Sequence, residues 1–410
     1  MGYTRDAIRG VGWVGLLRLF TRLVSFVRMI ILARILSPSQ FGIFGVAILA
    51  TALLEVFTET GVNVILVQEK EDIKKYINSA WIISIVRGVL IALVIFSSAP
   101  FIANFFKSPE SKILLQIISV VPLIRGFVNP FSVKFQKYLE FHKEFWYRFV
   151  IFLVDAIVSI SFAFITKNAM SLVFGLIAGA LLEVILSFLL IKPVPYLSFN
   201  KEYITKIFHR GKWVTLSGIF NYLYHNADNI IVGKILGIAS LGLYEMAYRI
   251  SLLPITEVAD VVQKVVFPVY TKISGDKERL RKAFAKTLIS VSIFSIPFGI
   301  TIFLFAKDIV LLLLGAQWVS IIPVLRILSI FGVIRAISGS SSALFLSVSK
   351  QEYVTVATFI SISGLLITIV PLVLHFGILG AGISALIGTL ISVPVFTFYS
   401  FKILYEKKTS

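Results

Sequence analysis

Cysteine is absent, which excludes disulfides and cysteine-ligated metals. Charge is scarce: Asp, Glu, Lys and Arg make up 15% of the 410 residues, too few to cover the surface of a soluble protein of this length. Acids are the scarcer sign, 21 against 39 Lys and Arg, for a net charge of +18. No GxGxxG, Walker, HExxH or CxxC pattern occurs, so ATP hydrolysis and metal chemistry have no footing in the sequence. Long polar connections are missing too, and no segment between apolar runs is long enough for a soluble domain. The first apolar stretch carries four arginines and no small-residue cleavage site, so it reads as a span rather than a signal peptide.

Apolar residues are abundant, at 58% of the chain, and mean hydropathy is +0.94. Runs of about 20 apolar residues, the length that crosses a bilayer, recur from end to end. They are continuous rather than alternating, which favours helices over a barrel. Twelve spans are expected, at 11–35, 41–66, 78–99, 112–133, 149–166, 170–191, 213–236, 240–267, 285–306, 319–347, 354–375 and 379–404. The stretch Asp308–Trp318 is too short to cross and is expected as a surface or re-entrant helix.

The excess of positive charge does not point to nucleic acid. Outside the spans the basic residues gather in short loops, at Lys70–Lys75, Lys134–Arg148, Lys192–Lys212, Lys272–Lys286 and Lys402–Lys408. With both termini in the cytoplasm all five stretches face inward, as membrane insertion favours. The expected location is therefore the cytoplasmic (inner or plasma) membrane, multi-pass, N-in and C-in.

The chain repeats itself. Trp13/Trp213, Val14/Val214, Phe20/Phe220, Ile30/Ile230, Leu36/Leu236, Gly42/Gly242 and Ala47/Ala247 match at a constant offset of 200. Spans 4 and 10 match at an offset of 210, through Leu115/Leu325, Ser119/Ser329, Ile124/Ile334, Arg125/Arg335 and Phe135/Phe345. Six spans per copy is an even number, so both halves enter the membrane in the same sense. Residues 1–199 and 200–410 are thus expected as two six-helix lobes in parallel repeat, an arrangement that secondary transporters use.

The stretches that carry the repeat also carry a resemblance. LARILSPSQFGIFGVA, ADNIIVGKILGIASLGLYEMAYRISLLP, VVFPVYTKISGDKERLRKAF and LLLLGAQWVSIIPVLRILSIFGVIRAISGSSSALFLS look like the Wzx-type oligosaccharide flippases of the multidrug/oligosaccharidyl-lipid/polysaccharide exporter superfamily. The likeness runs from about residue 8 to 400. It implies an all-α, MATE-like fold with a central cavity, and a substrate of polyprenyl-pyrophosphate-linked glycan handed between other polysaccharide assembly proteins. Twelve spans rather than fourteen favour the O-antigen, capsule or exopolysaccharide branch over the peptidoglycan lipid flippases.

A charge at the bilayer centre costs roughly 2.5–3.5 kcal/mol on insertion scales, so charges within spans mark cavities or partners. Arg18, Arg22, Arg28 and Arg34 lie in span 1. Arg34 is near the outer end and can snorkel. Arg18 and Arg22 share a face, with Arg28 deeper. Either they line a water-filled cavity and grip a pyrophosphate or acidic sugar, or they pair with Glu55 and Glu59 of span 2. Span 7 presents Ser217, Asn221, His225 and Asp228 as one polar stripe, Asp228 standing where span 1 has Arg28. Asn221 is a candidate substrate contact. Asp228, His225 and Glu245 of span 8 are candidates for coupling to Na⁺ or H⁺, against the alternative of a helix-packing stripe. No other cofactor is expected. Arg249 pairs with Glu245 at i, i+4 or, as the resemblance implies, lines the cavity. Arg125 and Arg335 read as structural anchors, and Glu257, Asp260 and Lys264 as a local ion cluster.

The repeat and the resemblance together favour a flippase working by alternating access. A cation-coupled drug antiporter of the same superfamily would carry acids rather than arginines in its first lobe. A membrane-embedded polymerase or glycosyltransferase would need a large external loop or an acidic catalytic cluster.

Overall fold

The structure, a computed structural model, describes residues 2–59, 66, 75–198, 218–219, 221–223 and 225–405. Helices dominate, and no strand occurs among the described residues. They are α1 (Gly2–Ile35), α2 (Pro38–Phe57), α3 (Ile77–Phe105), α4 (Pro109–Arg125), α5 (Phe141–Thr166), α6 (Met170–Leu190), α7 (225–236), α8 (Ile238–Ile273), α9 (Lys277–Leu304), α10 (Ile322–Ser347), α11 (Gln351–Phe376) and α12 (Ile378–Tyr405). Eight helices among the described residues are long and apolar enough to cross a membrane, and the bent pair that begins with α4 would make a ninth. Helix α1 is long enough, at 34 residues, but six arginines dilute its apolar character. The start of span 7, the expected lobe boundary at 199/200, Ser217 and the side chains of Glu257, Asp260 and Lys264 lie outside the described residues.

Local chemistry sets where these helices begin. Ser37 and Ser108 cap α2 and α4 by accepting from Gln40 N at 3.4 Å and Ser111 N at 3.3 Å, each followed by a proline in the first turn. Asp276 caps α9 through Arg279 N at 3.0 Å. Pro100, Pro297, Pro371 and Pro394 fall inside helices, which a membrane span tolerates better than a soluble helix. The outer faces are strongly apolar: Phe101 is 76% exposed, Ile165 77% and Ile367 75%. Water would not accept so much exposed apolar surface, whereas lipid does.

Two compact units divide the chain at Asn226/Ala227. In the first, α2 packs on α3 and α4, α3 on α4, α4 on α6, and α5 on α6. In the second, α8 packs on α9 and α10, α9 on α10, α10 on α12, and α11 on α12. The second set is the first with six added to each helix, so the repeat read from matching residues reappears as a repeated packing pattern.

Two expectations need correction. Span 4 does not run as one helix to 133; α4 ends at Arg125, and the following turns, Pro130–Lys137, bend away by 71°. Asn129–Pro130 causes this break, because proline excludes helical backbone before it. The Asp308–Trp318 stretch forms short turns, Ala306–Ile309, Val310–Leu314 and Ala316–Ile321. Val310, Leu314 and Trp318 are fully buried, so it is a packed connector and not simply a surface helix.

Candidate functional site

In the first unit, α1, α4, α5 and α6 enclose a cavity of about 520 Å³. Helix α1 contributes Arg18 and Thr21, α4 contributes Arg125, α5 contributes Arg148 and Asp155, and α6 contributes Gly179 and Glu183. Arg148 stands about two turns into α5 and Asp155 about four, so the cavity follows that helix to its middle.

The deep end is closed by an ion pair. Arg28 Nη1 meets Asp155 Oδ2 at 2.8 Å, and Nη2 donates to Ser159 Oγ at 2.7 Å. Both charged side chains are nearly buried, at 12% and 11% exposure, so water screens the pair little. Ser159 in turn donates to the Asp155 carbonyl at 2.8 Å. Gly175 and Gly179, one turn apart on α6, let that helix lie against these polar groups. A Cβ at Gly175 would collide with Ser159 Oγ and Asp155, and one at Gly179 would come within 3.2 Å of Asp155 Cβ.

Toward the other end the cations are more exposed. Arg125 Nε is 3.6 Å from Glu183 Oε2, beyond good hydrogen-bond range, and its side chain is 45% exposed. Arg148 Nε donates to Glu144 Oε1 at 2.8 Å, an oxygen that Gln136 Nε2 also reaches at 2.8 Å. Arg18 is exposed, and no ion-pair partner for it occurs among the described residues.

The remaining expected residues fall as follows. Arg22 is exposed and lies outside the cavity lining. Arg28 is not in the lining either; it is bound to Asp155 of α5 and Ser159 rather than to Glu55 or Glu59 in any hydrogen bond described. Arg87 of α3 meets Glu59 at 3.3 Å and the Glu55 carbonyl at 2.7 Å, closing the end of α2. Asn221 and His225 are exposed, whereas Asp228 is buried, so the stripe on span 7 divides by environment.

Within the second unit, Asp228 Oδ2 accepts from Tyr244 Oη at 2.9 Å and Oδ1 accepts from Asn229 N at 2.8 Å. Asn229 Oδ1 beside it is buried and accepts no hydrogen bond among the described residues. Arg335 donates to Tyr248 Oη at 2.8 Å and lies over the Phe331 ring at 5.6 Å, the anchoring expected of it. Arg249 is 3.6 Å from Glu245, with 48% of its side chain exposed against 14% for the acid. No group of three or more His, Asp or Glu side chains suited to a metal ion occurs among the described residues.

The all-helical membrane fold agrees with what comparison with known proteins returns. The model of the polysaccharide biosynthesis protein family matches residues 31–323. The chain belongs to that family. A membrane protein encoded in the cps region of Klebsiella pneumoniae, itself uncharacterised, is 28% identical over 420 residues, covering 98% of this chain and 84% of its own. The lipopolysaccharide biosynthesis protein WzxC of Escherichia coli strain K12 is 25% identical over 354 residues, covering 86% and 72%. Among solved structures, the lipid II flippase MurJ in an inward closed conformation matches with a TM-score of 0.77 at 18% identity, covering 95% of this chain and 88% of its own. An inward-facing multidrug resistance MATE transporter matches at 0.67 and 17% identity, covering 95% and 96%. These likenesses concern the fold: this polysaccharide biosynthesis protein is an all-α, multi-pass membrane protein.

Asp155, Glu183 and Arg87 of this family member were passed over in the sequence, although the cost of a charge within a span singles out each of them. Arg125, read as an anchor, lines the cavity and faces Glu183 of α6 at 3.6 Å.

Proposed function

We propose that the chain is a flippase that carries a polyprenyl-pyrophosphate-linked oligosaccharide across the cytoplasmic membrane, without catalysing a reaction, for surface polysaccharide assembly. Its membership of the polysaccharide biosynthesis family carries the reading, and the arginine-lined cavity supplies the chemistry. A pyrophosphate crossing bare hydrocarbon faces a prohibitive desolvation cost. Guanidinium groups replace lost water with charge-assisted, bidentate hydrogen bonds, and they stay protonated throughout.

In this reading Arg18 grips the headgroup directly, and Arg22, Asn221 and Arg249, all exposed, are further contacts along its path. Arg28 serves by holding α1 to α5 through Asp155. The two lobes, 1–199 and 200–410, expose the headgroup to each side in turn while the polyprenyl tail stays in lipid. Asp228 is the coupling carboxylate, with His225 and Glu245 as secondary candidates. The termini are cytoplasmic, and the glycan passes to other assembly proteins on the far side.

The test is headgroup transfer in proteoliposomes loaded with a lipid-linked oligosaccharide. Transfer that depends on the protein and is lost in Arg18→Ala is expected. No transfer of glycan headgroup, with uptake of cationic drugs instead, would replace the flippase reading with a drug antiporter.

A further inference from the structure

The repeat supplies an internal comparison at the basic end of α9. In the first unit, α3 and α6 both lie along α4, and side chains of the unit itself close the gap between them. Trp81, the fifth residue of α3, meets Phe188 of α6 edge-on with ring centroids 6.0 Å apart. Its Nε1 donates to the Phe127 carbonyl at 3.0 Å. At Gly88 the backbones nearly touch: an added Cβ would lie 2.6 Å from the Pro122 carbonyl oxygen. The second unit changes both positions, at the same offset of 200 that relates spans 1–2 to spans 7–8. Arg281, the fifth residue of α9, stands for Trp81, and Leu288 stands for Gly88. Here α9, α10 and α12 enclose a cavity of about 420 Å³, within the range of small-molecule sites.

The interior of this cavity suits hydrocarbon. Phe284 and Leu288 line it from α9, Ile334 from α10, and Val393 and Phe396 from α12. The hydroxyls that reach it are already engaged. Ser338 donates to the Ile334 carbonyl at 2.8 Å, Thr397 to the Val393 carbonyl at 2.9 Å, and Ser400 to Ser341 Oγ at 3.1 Å. The mouth is cationic: Arg281 stands there with its guanidinium 5.4 Å over the Tyr405 ring. No acid lines the cavity, and Arg281 has no ion-pair partner among the described residues. Its neighbours are already neutralised, Arg279 by Asp276 at 3.1 Å and Lys282 by Glu278 at 2.6 Å. Exposed Ala285, Thr397 and Phe401 border the gap between α9 and α12, which opens sideways to lipid. Along α12 the lining runs from Val393 to Tyr405, about 18 Å of helix. Half of a hydrocarbon core, one leaflet, is roughly 15 Å. An amphiphile of one leaflet with an anionic head therefore matches the slot in length and charge. We propose that the second unit binds one anionic phospholipid of the membrane here, its phosphate on Arg281 and one acyl chain between α9 and α12. Basic pockets between spans on the cytoplasmic side recognise such headgroups, and α9 begins in a basic stretch assigned to that side. The inference goes beyond the flippase reading and does not depend on it.

The experiment titrates the delipidated, detergent-purified full chain with phosphatidylglycerol or phosphatidylcholine of identical acyl chains. Native mass spectrometry counts the lipid bound. Wild type should bind phosphatidylglycerol about tenfold more tightly, because its headgroup keeps a net charge where phosphatidylcholine has none. Arg281→Gln should weaken phosphatidylglycerol binding about tenfold, the size of one charge-assisted contact, and bring the two lipids level. Ala285→Trp sets an indole in the gap, as Trp81 does in the first unit, and should abolish binding of both. Thr397→Cys reads occupancy directly in a chain that has no other cysteine. Phosphatidylglycerol should slow its labelling by a maleimide about tenfold, and phosphatidylcholine should not. Equal affinity of wild type for the two lipids, or labelling of Thr397→Cys that ignores phosphatidylglycerol, overturns the site. Binding unchanged in both Arg281→Gln and Ala285→Trp places the lipid elsewhere, and the proposal fails. Undecaprenyl phosphate that protects Thr397→Cys where phosphatidylglycerol does not would give the slot to a polyprenyl tail and overturn the assignment equally.

Discussion

Arg18 and Arg28 lie on one helix with the same functional group, and their surroundings give them different work. Arg28 is nearly buried against an acid and a hydroxyl, so removing Asp155 strands a charge where little water reaches it. Asp155→Asn should lower stability by about 3 kcal/mol, the range for a broken buried pair. Replacing both, Arg28→Met with Asp155→Leu, should recover most of that loss, because two apolar side chains leave no orphan. Thermal unfolding in detergent of wild type, Arg28→Met, Asp155→Leu and the double variant reads the coupling; simple additivity would show that the pair does not act as a unit. Four arginines in span 1 were plain in the sequence, and so was the need to offset them. Which acid answers Arg28 was not, because Asp155 lies 127 residues away and only the packing of α1 on α5 brings it near. Asp228 faces the opposite situation, a buried carboxylate bonded to a tyrosine and a backbone amide, beside a carboxamide oxygen that accepts no hydrogen bond among the described residues. Asp228→Asn preserves size and acceptor oxygen while removing charge, so it should blunt the dependence of headgroup transport on imposed Na⁺ or proton gradients. Glu245→Gln should do less, since Arg249 already accompanies that acid. Transport by Asp228→Asn that follows both gradients as wild type does would take Asp228 out of the coupling role.

At the scale of elements, the bend after α4 depends on one side chain. Asn129 is fully buried; Nδ2 donates to the Ile191 and Pro193 carbonyls at 3.2 and 3.1 Å, and Oδ1 accepts from Phe131 N at 3.0 Å. Its own amide donates to Ser187 Oγ at 3.0 Å. The residue thus fixes the turn after α4 to the end of α6, and so helps place Arg125 at the cavity. Asn129→Ala leaves several backbone groups without partners at roughly 1–3 kcal/mol for each buried loss. It should cut the yield of folded protein sharply, while Asn129→Asp should retain the Phe131 contact and lose the two donated bonds. Intact folding of Asn129→Ala, judged by its unfolding midpoint, would show that the turn is held elsewhere. The Asn-Pro pair was a legible stop signal here, outweighed by the apolar run that continues past it. By contrast, Gly175 and Gly179 could be seen as a small-residue pair, but not that their space is filled by Ser159 and Asp155.

For the whole molecule, hydropathy and repeat made the all-α membrane architecture legible, because lipid leaves the backbone few alternatives to a helix. The proposed sidedness rests on where lysines and arginines collect, and α5 offers a compact test of it. Its 26 residues span about 39 Å at 1.5 Å per residue, more than the roughly 30 Å of a hydrocarbon core. Lys143 lies in its first turn, and Lys167, at φ 49°, terminates it. The two positions must therefore emerge on opposite faces, whichever way the chain is inserted. Lys277 begins α9, within the basic stretch assigned to the same side as Lys143. In a chain without cysteine, Lys143→Cys, Lys167→Cys and Lys277→Cys each introduce a single thiol with no background. An impermeant thiol reagent added to intact cells should label position 167 and leave 143 and 277 untouched until the membrane is opened. Labelling at 143 and 277 with protection of 167 would reverse the orientation while keeping α5 as a span. Equal labelling of 143 and 167 would remove α5 from the membrane, and with it the floor and one wall of the arginine-lined cavity.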